Sequence, residues 1–190
     1  FLISLRKAAS MVTLGKVNIS GRGQKSIPIA DANGEKIFIF PRRQDVPFNA
    51  SAYQDTEASR LNLCFAPDEK FKGEMQQIDQ QIIEQLRPRL KELFDIDPHM
   101  DESSEWYQSA LKTSKSGHVC VRTKINLDGK AALRCWNPSR QLRPPPEDWS
   151  CVSVSPRIWV KQLYVTPKEC GLVLECLDVF IEQKQHACPF

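Results

Sequence analysis

The chain has 190 residues, 41% hydrophobic and 26% charged, a composition ordinary for a globular protein and long enough for one sizeable domain with extensions or two small ones. No apolar run approaches the roughly 18–20 residues that cross a bilayer as a helix, so no membrane span is expected. The formal charge is only +3, but it is unevenly spread. Residues 118–161 carry eight Lys/Arg against Asp128, Glu147 and Asp148, a net of +5, whereas residues 68–105 carry five bases against eleven acids, a net of −6. Such asymmetry suggests a basic surface for an acidic partner and an acidic helical region elsewhere.

The opening stretch "FLISLRKAASM" lacks the long apolar core of a secretory signal. An upstream remnant, a trimmed transit sequence or a cloning boundary would each look this way. Residues 1–35 read as an irregular N-terminal arm, with loops marked by "NISGRGQKS" and "DANGEK". "SGRGQKS" has glycines and a lysine but fails the P-loop spacing, so it reads as a flexible basic arm. "KIFIFP" is a short strand ended by Pro41, and a long polar loop follows. "RLNLCFA" alternates as a half-buried strand does, with Leu61, Leu63 and Phe65 on one side.

The next segment has helical spacing. Phe71, Met75, Ile78, Ile82, Leu86, Leu90 and Leu93 advance by three or four residues and form one apolar stripe. That pattern predicts a helix over 70–94 that covers an open sheet. Asp68 is placed to cap its start, and Pro88 should bend or divide it near Glu84 and Gln85. "DIDPHMDESSE" is an acidic linker without the glycine and closing glutamate of a calcium loop.

Beyond Tyr107 the chain turns β-rich, with strands predicted near 118–127, 131–137, 150–155, 157–165 and 171–182. A proline-rich loop, "NPSRQLRPPPEDW", interrupts them. The whole reads as mainly β with one packed helix (α+β), an OB-like antiparallel β-barrel. Residues 36–182 are expected to form a single barrel domain, and 183–190 a C-terminal tail.

Seven cysteines stand at 64, 120, 135, 151, 170, 176 and 188, without a Cys-x-x-Cys pair, and there are three histidines, at 99, 118 and 186. That spacing does not make a zinc ribbon or finger, so neither metal nor cofactor is expected. Cysteines inside strand-like runs read as buried free thiols, which points to a reducing intracellular compartment. His118 and Cys120 stand two apart on one strand face, but no nucleophile turn surrounds them, so no enzyme is expected.

"HVCVRTKINLDGKAALRCWN" poses a register question. A two-residue loop at Asp128-Gly129 would mix apolar and charged residues on one side of a hairpin. A three-residue loop pairs Leu127 with Ala131, Ile125 with Leu133 and Thr123 with Cys135. Arg122, Lys124, Arg134 and Trp136 then collect on the other face, with Gly129 or Lys130 supplying the unusual backbone angle. Burial of one face selects the second register. "PRIWVKQLYV" repeats the pattern: Ile158 and Val160 point one way, and Arg157, Trp159 and Lys161 the other. The intervening loop adds Arg140, Arg143 and Trp149, and "GLVLECLDVFI" is expected to supply core through Val173, Leu177, Val179 and Ile181.

Cations interleaved with rings on a sheet suit single-stranded nucleic acid, whose phosphates meet the bases of the protein while its own bases stack on indoles. No strong helix carries base-reading residues, so a single strand fits better than a duplex. A competing reading has Trp136 and Trp159 closing the barrel ends beneath Arg and Lys neighbours. The alternative function is an accessory or scaffold subunit that uses the same barrel for protein contacts.

Across residues 118–182, "VCVRTKINLDGKAALRCWN", "SPRIWVKQLYV" and "GLVLECLDVFI" resemble the OB-fold single-stranded DNA-binding proteins of phages and large DNA viruses. The resemblance implies a non-enzymatic role in DNA replication, with an open barrel face holding the strand. It assigns stacking to Trp136 and Trp159, and backbone contacts to Arg122, Lys124, Arg134 and Lys161. Such proteins often end in an acidic tail with a terminal aromatic; "QKQHACPF" has Phe190 but no acidic run.

Overall fold

A computed structural model describes residues 11–52, 59–97, 104–113 and 117–183. Residues 1–10 of the arm, parts of the polar loop and of the acidic linker, and the tail from 184 to Phe190 lie outside them. The described strands, in chain order, are β1 (Thr13–Leu14), β2 (Asn18–Ile19), β3 (Lys25–Ala30), β4 (Ile37–Ile39), β5 (Gln44–Asp45), β6 (Arg60–Phe65), β7 (Tyr107–Gln108), β8 (Leu111–Thr113), β9 (Val119–Asn126), β10 (Arg134–Trp136), β11 (Leu142–Arg143), β12 (Val152–Val165) and β13 (Cys170–Gln183). The helices are α1 (Glu69–Leu86) and α2 (Leu90–Phe94), with a 3₁₀ turn (Arg87–Arg89) between them. The fold is thus mainly β with one long helix. None of the described helices is long and apolar enough to cross a membrane.

The contacts divide the chain into two compact units. The first comprises the residues up to Ile37, Gly73–Ser109 and Lys161–Leu172; the second comprises Phe38–Lys72, Ala110–Val160 and Val173 onward. β12 and β13 contribute a segment to each.

In the first unit, β3 pairs antiparallel with β1, β2 and the end of β12. Residues 11–35 therefore contain three strands rather than an irregular arm. Pro28 is tolerated within β3, where its carbonyl accepts from Gly15 N–H at 3.0 Å. The predicted helical stripe is buried from Met75 through Ile78, Ile82, Leu86 and Leu90, while Leu93 is half-buried. Two glutamines of α1 satisfy backbone at β1: Gln81 Oε1 accepts from Val12 N–H at 2.7 Å, and Gln85 Oε1 from Leu14 N–H at 3.1 Å. Asp79 is buried and accepts hydrogen bonds from the Tyr107 hydroxyl (2.6 Å) and the Ser109 hydroxyl. Burial, with the Asp79 charge beside it, pushes the Tyr107 phenol far above its ordinary range.

Pro88 divides the helix as expected, although at Arg87–Arg89 rather than a turn earlier. A proline fits the first turn of a new helical segment because its missing N–H has no partner to lose there. At the other end, in the second unit, Asp68 Oδ1 accepts from Phe71 N–H at 2.7 Å, an N-cap. Asp68→Ala should cost about 1 kcal/mol of stability, read as a lower urea midpoint at unchanged m-value.

In the second unit β6 and β9 pair antiparallel over six residues, from Arg60↔Asn126 to Phe65↔Val121. β8 lies on the other side of β9, and β5 pairs with the start of β12. Leu63, Phe65, Val121, Ile125, Val154, Ile158, Val160, Cys176 and Val179 are fully buried. β12 is one continuous strand, so Pro156 does not separate two strands as predicted.

The predicted hairpin pairing is not formed. β10 pairs in parallel with β13 through Arg134↔Asp178, Cys135↔Val179 and Trp136↔Phe180, and β9 meets β13 in parallel at Lys124↔Glu175. The long strand β13 thereby takes the place that each hairpin arm was expected to offer the other. The turn survives: Gly129 has φ +74°, and Leu133 N–H donates to Asn126 O at 2.8 Å.

Val173 and Leu177 are half-buried rather than core. The buried positions of β13 run Leu172, Leu174, Cys176 and then Val179 and Ile181. One extra residue between Cys176 and Val179 reverses the phase, as a bulge does. Glu175 and Asp178 consequently share the face away from the core.

Candidate nucleic-acid interface

Alternation within each strand fixes which side chains leave the core. On β9, Val121, Thr123 and Ile125 are buried, so Arg122 and Lys124 project outward. On β10, Leu133 and Cys135 anchor the inner side, and Arg134 and Trp136 take the outer. On β12, buried Ile158 and Val160 leave Arg157 and Trp159 on the opposite side. Trp136 and Trp159 are both half-buried, not sealed in the interior.

A carboxylate the sequence reading passed over organises the centre of this face. Asp178 receives a two-pronged contact from Arg134, Nε to Oδ1 at 2.7 Å and Nη2 to Oδ2 at 3.0 Å. Arg157 Nη2 reaches Oδ2 at 2.6 Å, and the Trp136 indole N–H donates to Oδ1 at 3.1 Å. Burial raises the Asp178 carboxyl, but the hydrogen bonds from Arg134 and Trp136 and the charges of both arginines outweigh it and hold the group below its ordinary value. The two guanidiniums also lie over rings, Arg134 at 5.8 Å from the Trp136 centroid and Arg157 at 5.1 Å from that of Phe38.

A second cluster surrounds Glu175, which is buried beside its β9 partner Lys124. Asn126 Nδ2 donates to it at 3.0 Å, and Arg60 Nη2 lies 3.7 Å away. Lys124 Nζ donates to Asn62 Oδ1 at 2.6 Å. Desolvation, then the charges of Arg60 and Arg122, depress the Lys124 ammonium.

Further residues of this face were not picked out by the sequence reading. Phe38 of β4 and Phe40 just beyond its end have ring centroids 6.4 Å apart, and Phe40 is 59% exposed. The alternation in "KIFIFP" carried that signal, since Ile37 and Ile39 are the buried pair. Phe180 stands beside Trp136 through the β10–β13 register. Arg60 and Asn62 enter through β6, whose partner strand could not be read from the chain.

Two expected members do not share that side. Trp149 is 3% exposed: a 3₁₀ turn (Trp149–Cys151), capped where Ser150 N–H donates to Asp148 Oδ1 at 2.9 Å, tucks the indole inside. Its ring face is not available to a ligand. Arg143 is exposed but pairs with Cys135, on the opposite side of β11 from Leu142, which shares the side of Trp136. Lys161, half-buried, continues the alternation of Arg157 and Trp159 along β12. Arg140 is exposed in the β10–β11 turn at φ +61°.

The thiols are free at all six described cysteines. Burial pushes Cys135 up to about 11 and Cys170 up to about 12, so these thiols stay protonated and inert near neutral pH.

A mainly β unit presenting guanidiniums, an ammonium and aromatic rings on one face can hold planar groups and anions together. No protein-family model and no curated protein matches the sequence. Among solved structures, the chain is similar to the single-stranded DNA-binding protein from bacteriophage Enc34 in complex with ssDNA, with a TM-score of 0.48 and 13% identity over 84% of this chain and 92% of that one. It is also similar to a C-terminal truncation of the Enc34 protein, with a TM-score of 0.44 and 14% identity over 84% of this chain and 91% of that one.

Proposed function

We propose that the second unit binds single-stranded nucleic acid, with single-stranded DNA as the ligand to test, and acts as a binding protein rather than a catalyst. The observation that carries this reading is the pairing of cations with rings on one outward face: Arg134 with Trp136, and Arg157 with Phe38. A single strand offers both complements at once, a charged backbone and unstacked bases. Stacking on such rings is worth about 1–3 kcal/mol per base, and it tolerates any sequence because every base has a π-face. Arg122, Lys124 and Arg60 would meet phosphates, and Trp136, Trp159, Phe38 and Phe40 the bases.

The test is a titration of tryptophan fluorescence with oligothymidine at several salt concentrations. Quenching that weakens steeply with salt is expected. Lys124→Ala should weaken binding and lower the slope of log K against log salt by about one, as the loss of one phosphate contact does. Absence of quenching at low salt would move the assignment to the accessory-subunit reading.

A further inference from the structure

On the proposed binding face one carboxylate collects four donors. Arg134 contributes Nε and Nη2, Arg157 contributes Nη2, and Trp136 contributes Nε1, all to the two oxygens of Asp178. A phosphate diester presents the same thing to its surroundings: two charged oxygens that suit the planar fork of a guanidinium. We propose that Asp178 is a built-in phosphate surrogate, which holds Arg134, Arg157 and the Trp136 indole in place in the unliganded protein and yields the guanidiniums to a backbone phosphate when a strand binds. The inference rests on the single-strand reading above and assigns regulation to that same face.

Three features carry it. The Asp178 side chain is 15% exposed, whereas those of Arg134 and Arg157 are 53% and 34% exposed. The carboxylate is thus more enclosed than the two arginine side chains that hold it, and an anion can approach those side chains from outside. Two cations face this one carboxylate, leaving the seat positively charged. Among the described residues, Arg157 Nε is buried without a hydrogen-bond partner, so Asp178 leaves one donor of this guanidinium unsatisfied in the unliganded arrangement. The phase reversal after Cys176 is what turns Asp178 toward this face, as its pairing with Arg134 requires.

The surrogate has a cost and a benefit that oppose each other. It preorganises two long side chains and an indole, and it competes with the ligand for them. The competition is the larger effect at low salt, where each net phosphate neutralised counts most.

The experiment measures anisotropy of a fluorescein-labelled oligothymidine against the full chain over a series of salt concentrations. Wild type, Asp178→Asn and Asp178→Ser are compared, with folding checked by far-UV circular dichroism. Each folded variant is expected to bind several-fold more tightly at low salt, with a slope of log K against log salt steeper by about one. A folded variant that binds equally or more weakly, at the wild-type slope, would make Asp178 a fixed scaffold and overturn the proposal. Loss of fold in both variants would overturn it too, because a group needed to hold the sheet is not displaceable. A wild-type protein that fails to bind at low salt would defeat the single-strand reading itself, and the proposal with it.

Discussion

Trp136→Ala is expected to weaken oligothymidine binding by about 1–3 kcal/mol, roughly 5- to 150-fold in Kd, while leaving the salt slope unchanged. The reason lies in what each group offers. The indole supplies an uncharged ring, so its loss removes stacking and not a phosphate contact. Arg134 loses the ring it lies over, 5.8 Å from its centroid, but keeps its two contacts to Asp178. Anisotropy of a labelled oligonucleotide is the suitable readout, because removing an indole alters the intrinsic fluorescence. A reduced slope in this variant would show that Trp136 acts mainly by positioning Arg134, and the division into stacking and phosphate-binding groups would then fail.

The largest stability effect is expected at Phe65. Its side chain is fully buried and stands opposite Val121 at the end of the six-residue β6–β9 pairing. Phe65→Ala removes most of a ring from a closely packed interior and leaves a cavity, at a cost of about 3–5 kcal/mol. Against a typical total of about 5–15 kcal/mol this is a large fraction. A fall in Tm of roughly 6–20 °C should be seen by calorimetry. A change within experimental error would mean that the β6–β9 contact is not the core of the second unit.

What was legible in the sequence followed from periodicity. The three- and four-residue advance from Phe71 to Leu90, the cap at Asp68 and the break at Pro88 together defined the helix, because each is local. Two-residue alternation likewise gave the correct outward sets on β9, β10 and β12. It could not say which strand lies beside which, since a strand with one buried face packs equally well against several partners. Hence the hairpin at Asp128-Gly129 was expected to pair with itself, and the parallel insertion of β13 was invisible. The partner that brings Arg60 and Asn62 beside Lys124 was invisible for the same reason.

The missed members of the face have separate causes. Strict alternation through "GLVLECLDVFI" pointed to Val173 and Leu177 as core, and a single extra residue before Val179 reversed that assignment. The same residue delivers Asp178 to the outer face, where its charge holds two arginines. Trp149 was expected outside because it ends the proline-rich loop, but a large apolar ring gains more by burial than a loop position predicts. Strands β1 and β2 are two residues long, and β3 contains a proline, so none of the three carries a usable periodic signal.

The central claim is that a single strand lies across the outward face of the second unit. Ultraviolet cross-linking of oligothymidine to the full chain, with the adducts mapped by mass spectrometry, tests it most directly. Adducts are predicted on Trp136, Phe38, Phe40 or Phe180, and they should diminish with rising salt. Cross-links confined to peptides of the first unit, with none on these rings, would contradict the account.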